Sequence, residues 1–178
     1  MENIKLNKIW EGCKVQDRKA QNQLYQYFSK RMFVVCMRYA QTTLEAEDIL
    51  QNGFIKVFTK HTLYTGKIPL ENWIKRIMIN TAIDIYRQNQ NRQTESIEEK
   101  NSIHIESTIG TDQTSYKDLL NMIRELPIGY RTVFNLYIIE GYSHKEIADI
   151  LNISEGSSKS QLSRARHWLQ TKLQEHNY

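Results

Sequence analysis

Glycine and proline are scarce in this chain, seven and two among 178 residues. So few turn-formers argue against a protein of many short strands, and the abundance of Leu, Ile, Lys, Gln and Glu favours helices throughout. Cysteine is rarer still: Cys13 and Cys36 stand far apart and away from any histidine pair, as expected of a reduced compartment. The five histidines, at 61, 104, 144, 167 and 176, have no metal-ligand spacing, so neither metal nor cofactor is expected. There is no glycine-rich phosphate loop and no nucleophile elbow; we expect no enzyme and no small-molecule substrate. The longest apolar run is Met32 to Met37, far short of the roughly 20 residues a membrane helix needs. MENIKLNKIW has no apolar signal core either, so the expected location is cytoplasmic.

One further absence is local. From Ser157 to Lys172 there is no acid, while Lys159, Arg164, Arg166 and Lys172 give 4 − 0 = +4. This excess matters more than the net charge of the chain, which is also +4. Just before it, Ser143 and Glu146 form an S-x-x-E capping box that starts a helix at about His144. Ile147, Ala148, Ile150 and Leu151 supply the buried side of that helix. Asn152 falls where the chain must turn, and Asn tolerates the left-handed backbone. Ser154 then caps a second helix, with Glu155 at the positive end of its dipole.

At about 100° per residue, Ser158, Leu162, Ala165 and Leu169 share one stripe facing the core. Lys159, Ser160, Ser163, Arg164 and His167 lie opposite. Hydroxyls and Arg on an outer face can reach base edges in the major groove, and Lys can reach phosphates. The alternative is a helical hairpin whose solvated face is basic. Cap, turn, stripe and one-sided charge together favour a helix-turn-helix.

Upstream, residues 5 to 40 read as one or two helices with Trp10, Leu24, Tyr27, Phe28, Val35 and Tyr39 as core. Thr42 or Thr43 caps a helix over about Leu44 to Lys60. Its face of Ala46, Ile49, Leu50, Phe54, Val57 and Phe58 suits a core. The opposite face carries Leu44, Asp48, Gln51, Asn52, Ile55 and Thr59. There Leu44 and Ile55 are either scattered surface hydrophobes or part of a partner surface.

A loop from His61 holds Tyr64, Gly66 and Lys67, and a helix follows over about Leu70 to Gln90. Ile74, Met78, Thr81 and Ile85 lie on one of its faces; Trp73, Arg76, Asn80, Asp84 and Arg87 lie on another. An aromatic ring among cations suits single-stranded nucleic acid. Alternatively, Trp73 is core and Asp84 pairs with Arg87 one turn later.

Residues 89–114 break the pattern: Arg92 and Lys100 against Glu95, Glu98, Glu99, Glu106 and Asp112 give 2 − 5 = −3, with no helical stripe. This reads as a flexible acidic linker. Beyond it Tyr116, Leu119, Leu120 and Ile123 form one stripe, and Tyr130, Val133, Phe134, Tyr137 and Ile138 another. The expected fold is all-α, two small helical domains at 1–90 and 115–178 joined by a linker at 91–114.

The stretches AEDILQNGFIKVF, NWIKRIMINTAIDIYR and LPIGYRTVFNLYIIEGYSHKEIADILNISEGSSKSQLSRAR, in this order and spacing, resemble the extracytoplasmic-function (ECF) sigma factors, promoter-specificity subunits of bacterial RNA polymerase. The resemblance spans nearly the whole chain. It implies that Leu44, Asp48, Gln51, Asn52 and Ile55 meet the clamp helices of the large subunit of core RNA polymerase. It implies minus-ten promoter contacts from Tyr64, Lys67, Trp73, Arg76, Asn80, Asp84 and Arg87, the Tyr64-to-Lys67 loop and Asn80 receiving a flipped base. Minus-thirty-five contacts would come from Lys145, Ser157, Lys159, Ser160, Ser163, Arg164 and Arg166, with Lys145 on a phosphate. The linker resembles the segment that threads the RNA exit path, and an anti-sigma factor, often membrane-anchored, is an implied partner.

This chain departs from the pattern at two positions. Ser158 stands where many relatives have Val, so looser packing is expected beneath the last helix. Asn152 stands where many helix-turn-helix units prefer Gly. A different reading, an autonomous helix-turn-helix regulator with a dimerising or sensing N-terminal domain, predicts a symmetric operator.

Overall fold

The computed structural model describes residues 2–95 and 121–176, and everything described is helix, turn or loop. The chain divides into two compact units, Met1–Glu99 and Lys100–Tyr178. The expected linker at 91–114 falls outside the described residues except for its first five. So do Tyr116, Leu119 and Leu120.

The first unit holds α1 (Glu2–Lys14), α2 (Arg18–Tyr39), α3 (Thr43–Thr59), a short 3₁₀ turn (His61–Leu63) and α4 (Leu70–Glu95). Asp17 caps α2, accepting from the backbone N–H groups of Lys19 and Ala20, each at 3.2 Å. Of the two candidates, Thr42 caps α3: its Oγ1 accepts from Glu45 N–H, and Glu45 reaches back to Gln41 N–H. α2, α3 and α4 bury Leu24, Phe28, Met32, Ile49, Val57, Ile74 and Met78 between them. Gly53 is the crossing point of α3 on α4; a β-carbon there would lie 2.2 Å from Met78 Sδ.

Three details differ from the pattern reading. Tyr27 is exposed, its ring lying under the Arg31 guanidinium at 5.0 Å, because its neighbour Phe28 takes the inward position. Ile85 is only half-buried. And α4 runs to Glu95 rather than Gln90. No Gly or Pro interrupts residues 90–95, and Gln90, Arg92, Gln93 and Glu95 favour helix, so the helix outlasts its apolar stripe.

In the second unit, α5 is described over residues 121–125 and is followed by α6 (Ile128–Phe134), a π-helical turn (Asn135–Ile139), α7 (His144–Leu151) and α8 (Glu155–His176). Met122, Ile123, Leu126, Ala165 and Leu169 form a core onto which Tyr130, Phe134 and Trp168 pack. The π turn places one extra residue in the coil and rotates the buried face. Asn135 and Leu136 are therefore buried, whereas Ile138, expected inside, is exposed. Arg131, also buried, donates from Nη1 to the Arg124 carbonyl at 2.8 Å and so closes the end of α5.

Candidate nucleic-acid and polymerase interfaces

α7 and α8 make the helix-turn-helix of the second unit. Ser143 Oγ accepts from Glu146 N–H, and the Glu146 carboxylate accepts from Ser143 N–H at 2.8 Å, a complete capping box. These bonds from Ser143 hold the Glu146 carboxyl below its ordinary range. Asn152 ends α7 in the left-handed region at φ 54°, ψ 48°. Ser154 Oγ then accepts from Ser157 N–H at 3.0 Å and opens α8. The stripe Ser158, Leu162, Ala165 and Leu169 is buried as its period requires.

Ser158, where looser packing was expected, is fully buried, and its Oγ lies 2.9 Å from Nδ1 of His144. The His144 ring stacks on Tyr137 with centroids 4.5 Å apart and planes at 22°. A hydroxyl here exchanges a methyl contact for a polar clip between the first turns of α7 and α8.

On the outer face, Lys145, Lys159, Ser160, Ser163, Arg164 and Arg166 are all exposed, and Ser157 is half-buried. Three of these side chains are already held. Lys159 bonds Glu155 at 2.7 Å and keeps that carboxyl below its usual range. Arg164 donates to the Tyr130 hydroxyl at 3.3 Å. The Arg166 guanidinium lies 5.9 Å from the Tyr137 ring centre. Such exposed tethers are weak; they restrict the cations without withdrawing them from the surface. The Arg164–Tyr130 bond was invisible to periodicity, since it joins residues 34 apart in sequence.

In the first unit, the face of α3 opposite the core presents Leu44, Asp48, Gln51, Asn52 and Ile55, all exposed. Leu44 is 69% and Ile55 58% exposed, so the core uses neither. On α4, Arg76, Asn80 and Asp84 are exposed and Arg87 is half-buried. Asp84 accepts from Lys56 of α3 at 2.9 Å, a pairing between helices that neither sequence reading contained.

Trp73 is half-buried among rings. It meets Tyr64 at 5.3 Å and Trp10 at 5.6 Å between centroids, and Trp10 meets Tyr64 edge-on at 5.5 Å and 88°. The Tyr64 hydroxyl donates to the Ile68 carbonyl at 2.9 Å, and Gly66 takes φ +75°, so the loop carrying Lys67 is a closed turn. The structure thus brings Tyr64 and Trp73 into contact beside the exposed face of α4. Trp10, read from sequence only as core, is the third member.

Among the described residues no cluster of three metal-ligating side chains occurs, and no helix is long and apolar enough to cross a membrane.

Two family models match separate stretches of the chain. Residues 24–92 match the family model for sigma-70 region 2, and residues 116–169 that for sigma-70 region 4. The chain is 28% identical over 182 residues to ECF RNA polymerase sigma factor SigW of Bacillus subtilis, spanning 96% of this chain and 97% of that one. It is 25% identical over 170 residues to the ECF RNA polymerase sigma-E factor of Haemophilus influenzae, spanning 89% of each. In fold it is similar to the sigma factor RpoE of Bartonella quintana, crystallised with the anti-sigma factor NepR. That likeness has a TM-score of 0.52 at 23% identity and covers 86% of this chain and 96% of that one.

Proposed function

We infer the work of each helical unit from one premise: this chain belongs to the ECF sigma factors of bacterial RNA polymerase. It is an initiation factor rather than an enzyme, and it acts by binding core RNA polymerase and promoter DNA. In the reading we propose, residues 1–90 bind core and the minus-ten element, 91–114 thread the polymerase, and 115–178 bind the minus-thirty-five element.

On α3, Leu44, Asp48, Gln51, Asn52 and Ile55 form the surface for the clamp helices. Two large apolar side chains left in water amid polar ones are what a partner would bury. Leu44 and Ile55 carry this assignment.

On α4, Trp73, Arg76, Asn80 and Arg87, with Tyr64 and Lys67 of the loop, take the minus-ten strand. Extruding a base costs roughly a few kcal/mol, which stacking and hydrogen bonds in a pocket offset. Asn80 supplies an amide able to both donate and accept. Asp84 is assigned differently from its neighbours. Its carboxylate would repel a phosphate, and it pairs instead with Lys56 of α3.

On α8, Ser160, Ser163 and Arg164 reach base edges in the minus-thirty-five major groove while Lys145, Lys159 and Arg166 meet phosphates; Ser157 sits at the entry to the groove. The single observation that carries this is the exposed face of α8, without an acid from Ser157 to Lys172, mounted on a fully capped helix-turn-helix.

The chain works in the cytoplasm, where polymerase is, and an anti-sigma factor, membrane-anchored in many systems, holds it inactive. The test is transcription from a promoter library by reconstituted holoenzyme. A narrow set of start sites sharing two elements at fixed spacing supports the reading; initiation no different from core alone refutes it.

A further inference from the structure

The contacts of α1 extend the functional unit beyond the residues that would touch DNA. Trp10 is buried, and its two ring partners are Tyr64, from the loop, and Trp73, from the first turn of α4. Its indole N–H meets no acceptor among the described residues, so packing rather than a hydrogen bond sets its position. Gly12, two residues on, packs its backbone against Ala20 of α2, where a β-carbon would come within 2.6 Å, so the end of α1 that bears Trp10 is anchored on α2. The loop is closed on itself through Tyr64 and Ile68, and Tyr64 carries its ring contacts to the rest of the unit. One side chain of α1 therefore braces both the loop and the helix between which a base would be received.

We propose that Trp10 is a positioning residue for promoter opening: it holds the Tyr64-to-Lys67 loop at the spacing from α4 that one extruded base requires, without touching DNA itself. This rests on the assignment of that loop and Asn80 to the minus-ten element. Edge-on aromatic pairs are worth more than their buried area and have directional geometry. Removing Trp10 frees the loop to shift as a closed turn, and a pocket misplaced by a fraction of an ångström to an ångström loses its selectivity. The expected consequence is loss of discrimination at one base position rather than general loss of binding.

The experiment is transcription by holoenzyme reconstituted with full-length chain, on a promoter library randomised across the minus-ten element, reading base preference at each position. Trp10→Ala is expected to flatten preference at a single position by about ten-fold, the combined size of two aromatic contacts. Preferences elsewhere and affinity for core should stay as in the wild type. Trp10→Phe, which keeps a ring, restores most of the preference. Trp10→Leu keeps apolar bulk without a ring and reads out the same loss should the Ala variant fail to fold. Asn80→Ala separates the two layers of the argument. If it leaves every preference intact, the base-receiving assignment itself falls. If Asn80→Ala flattens one position while Trp10→Leu keeps the wild-type profile, or loses all positions uniformly, the positioning role of Trp10 is overturned and the assignment stands.

Discussion

Nδ1 of His144 and Oγ of Ser158 lie 2.9 Å apart, joining the first turns of the two helices of the helix-turn-helix. Ser158 is fully buried and His144 half-buried, so this part-buried bond links α8 to α7. A net hydrogen bond contributes about 0.5–1.5 kcal/mol. Ser158→Ala should therefore destabilise the second unit by about 0.5–1.5 kcal/mol. In a double-mutant cycle with His144→Ala, denaturant unfolding should return a coupling of at least about 0.5 kcal/mol. Additive losses would mean that the contact does not join the helices energetically.

Arg164 stands on the outer face of α8 with its guanidinium tied to Tyr130. An Arg reading a guanine contributes about 1–3 kcal/mol of discrimination. Arg164→Ala should relax selection at one base of the minus-thirty-five element by that amount, whereas Lys159→Ala should weaken all sequences alike and reduce salt dependence. Selection profiles over a randomised minus-thirty-five element check both. An unaltered profile for the two variants together removes α8 from that element.

Leu44 and Ile55 make a different demand, since both are mostly exposed. Asp48→Ala with Ile55→Ala should lower affinity for core polymerase by about ten-fold or more, as loss of an interface anchor does. Circular dichroism and melting temperature should barely change. Unchanged core affinity with intact helicity would place the interface elsewhere.

Gly53 brings α3 so close to buried Met78 of α4 that a methyl group would require the Met78 thioether to shift. Overpacking a tight core site costs about 1–3 kcal/mol, more than the intrinsic helical preference for Ala returns. Gly53→Ala should lower the melting temperature of the first unit by several degrees, as calorimetry would show. A rise would mean that Met78 moves aside at no cost.

The polar geometry of the helix-turn-helix was legible in the sequence almost residue by residue. Capping residues, the left-handed Asn152 and the stripe of α8 all act through neighbours one to four residues away, which is the range that sequence patterns report. What joins distant residues was not legible. The Lys56–Asp84 bridge, the Arg164–Tyr130 bond and the Trp10–Tyr64–Trp73 trio depend on how helices cross. The π turn at Asn135–Ile139 misled the reading for a related reason: one inserted residue shifts every later position on the stripe, so Ile138 emerges at the surface. Ser158 shows the converse. Its burial followed from the stripe, but its hydrogen bond to His144 of the facing helix did not, and so it read as a gap in packing.

The most direct test of the central claim is binding of the purified chain to core RNA polymerase stripped of sigma subunits. Tight one-to-one association, with poor binding to duplex DNA in the absence of core, is the expected result. A chain that ignores core yet binds duplex DNA as a dimer at a symmetric site would contradict the account and make it an autonomous helix-turn-helix regulator.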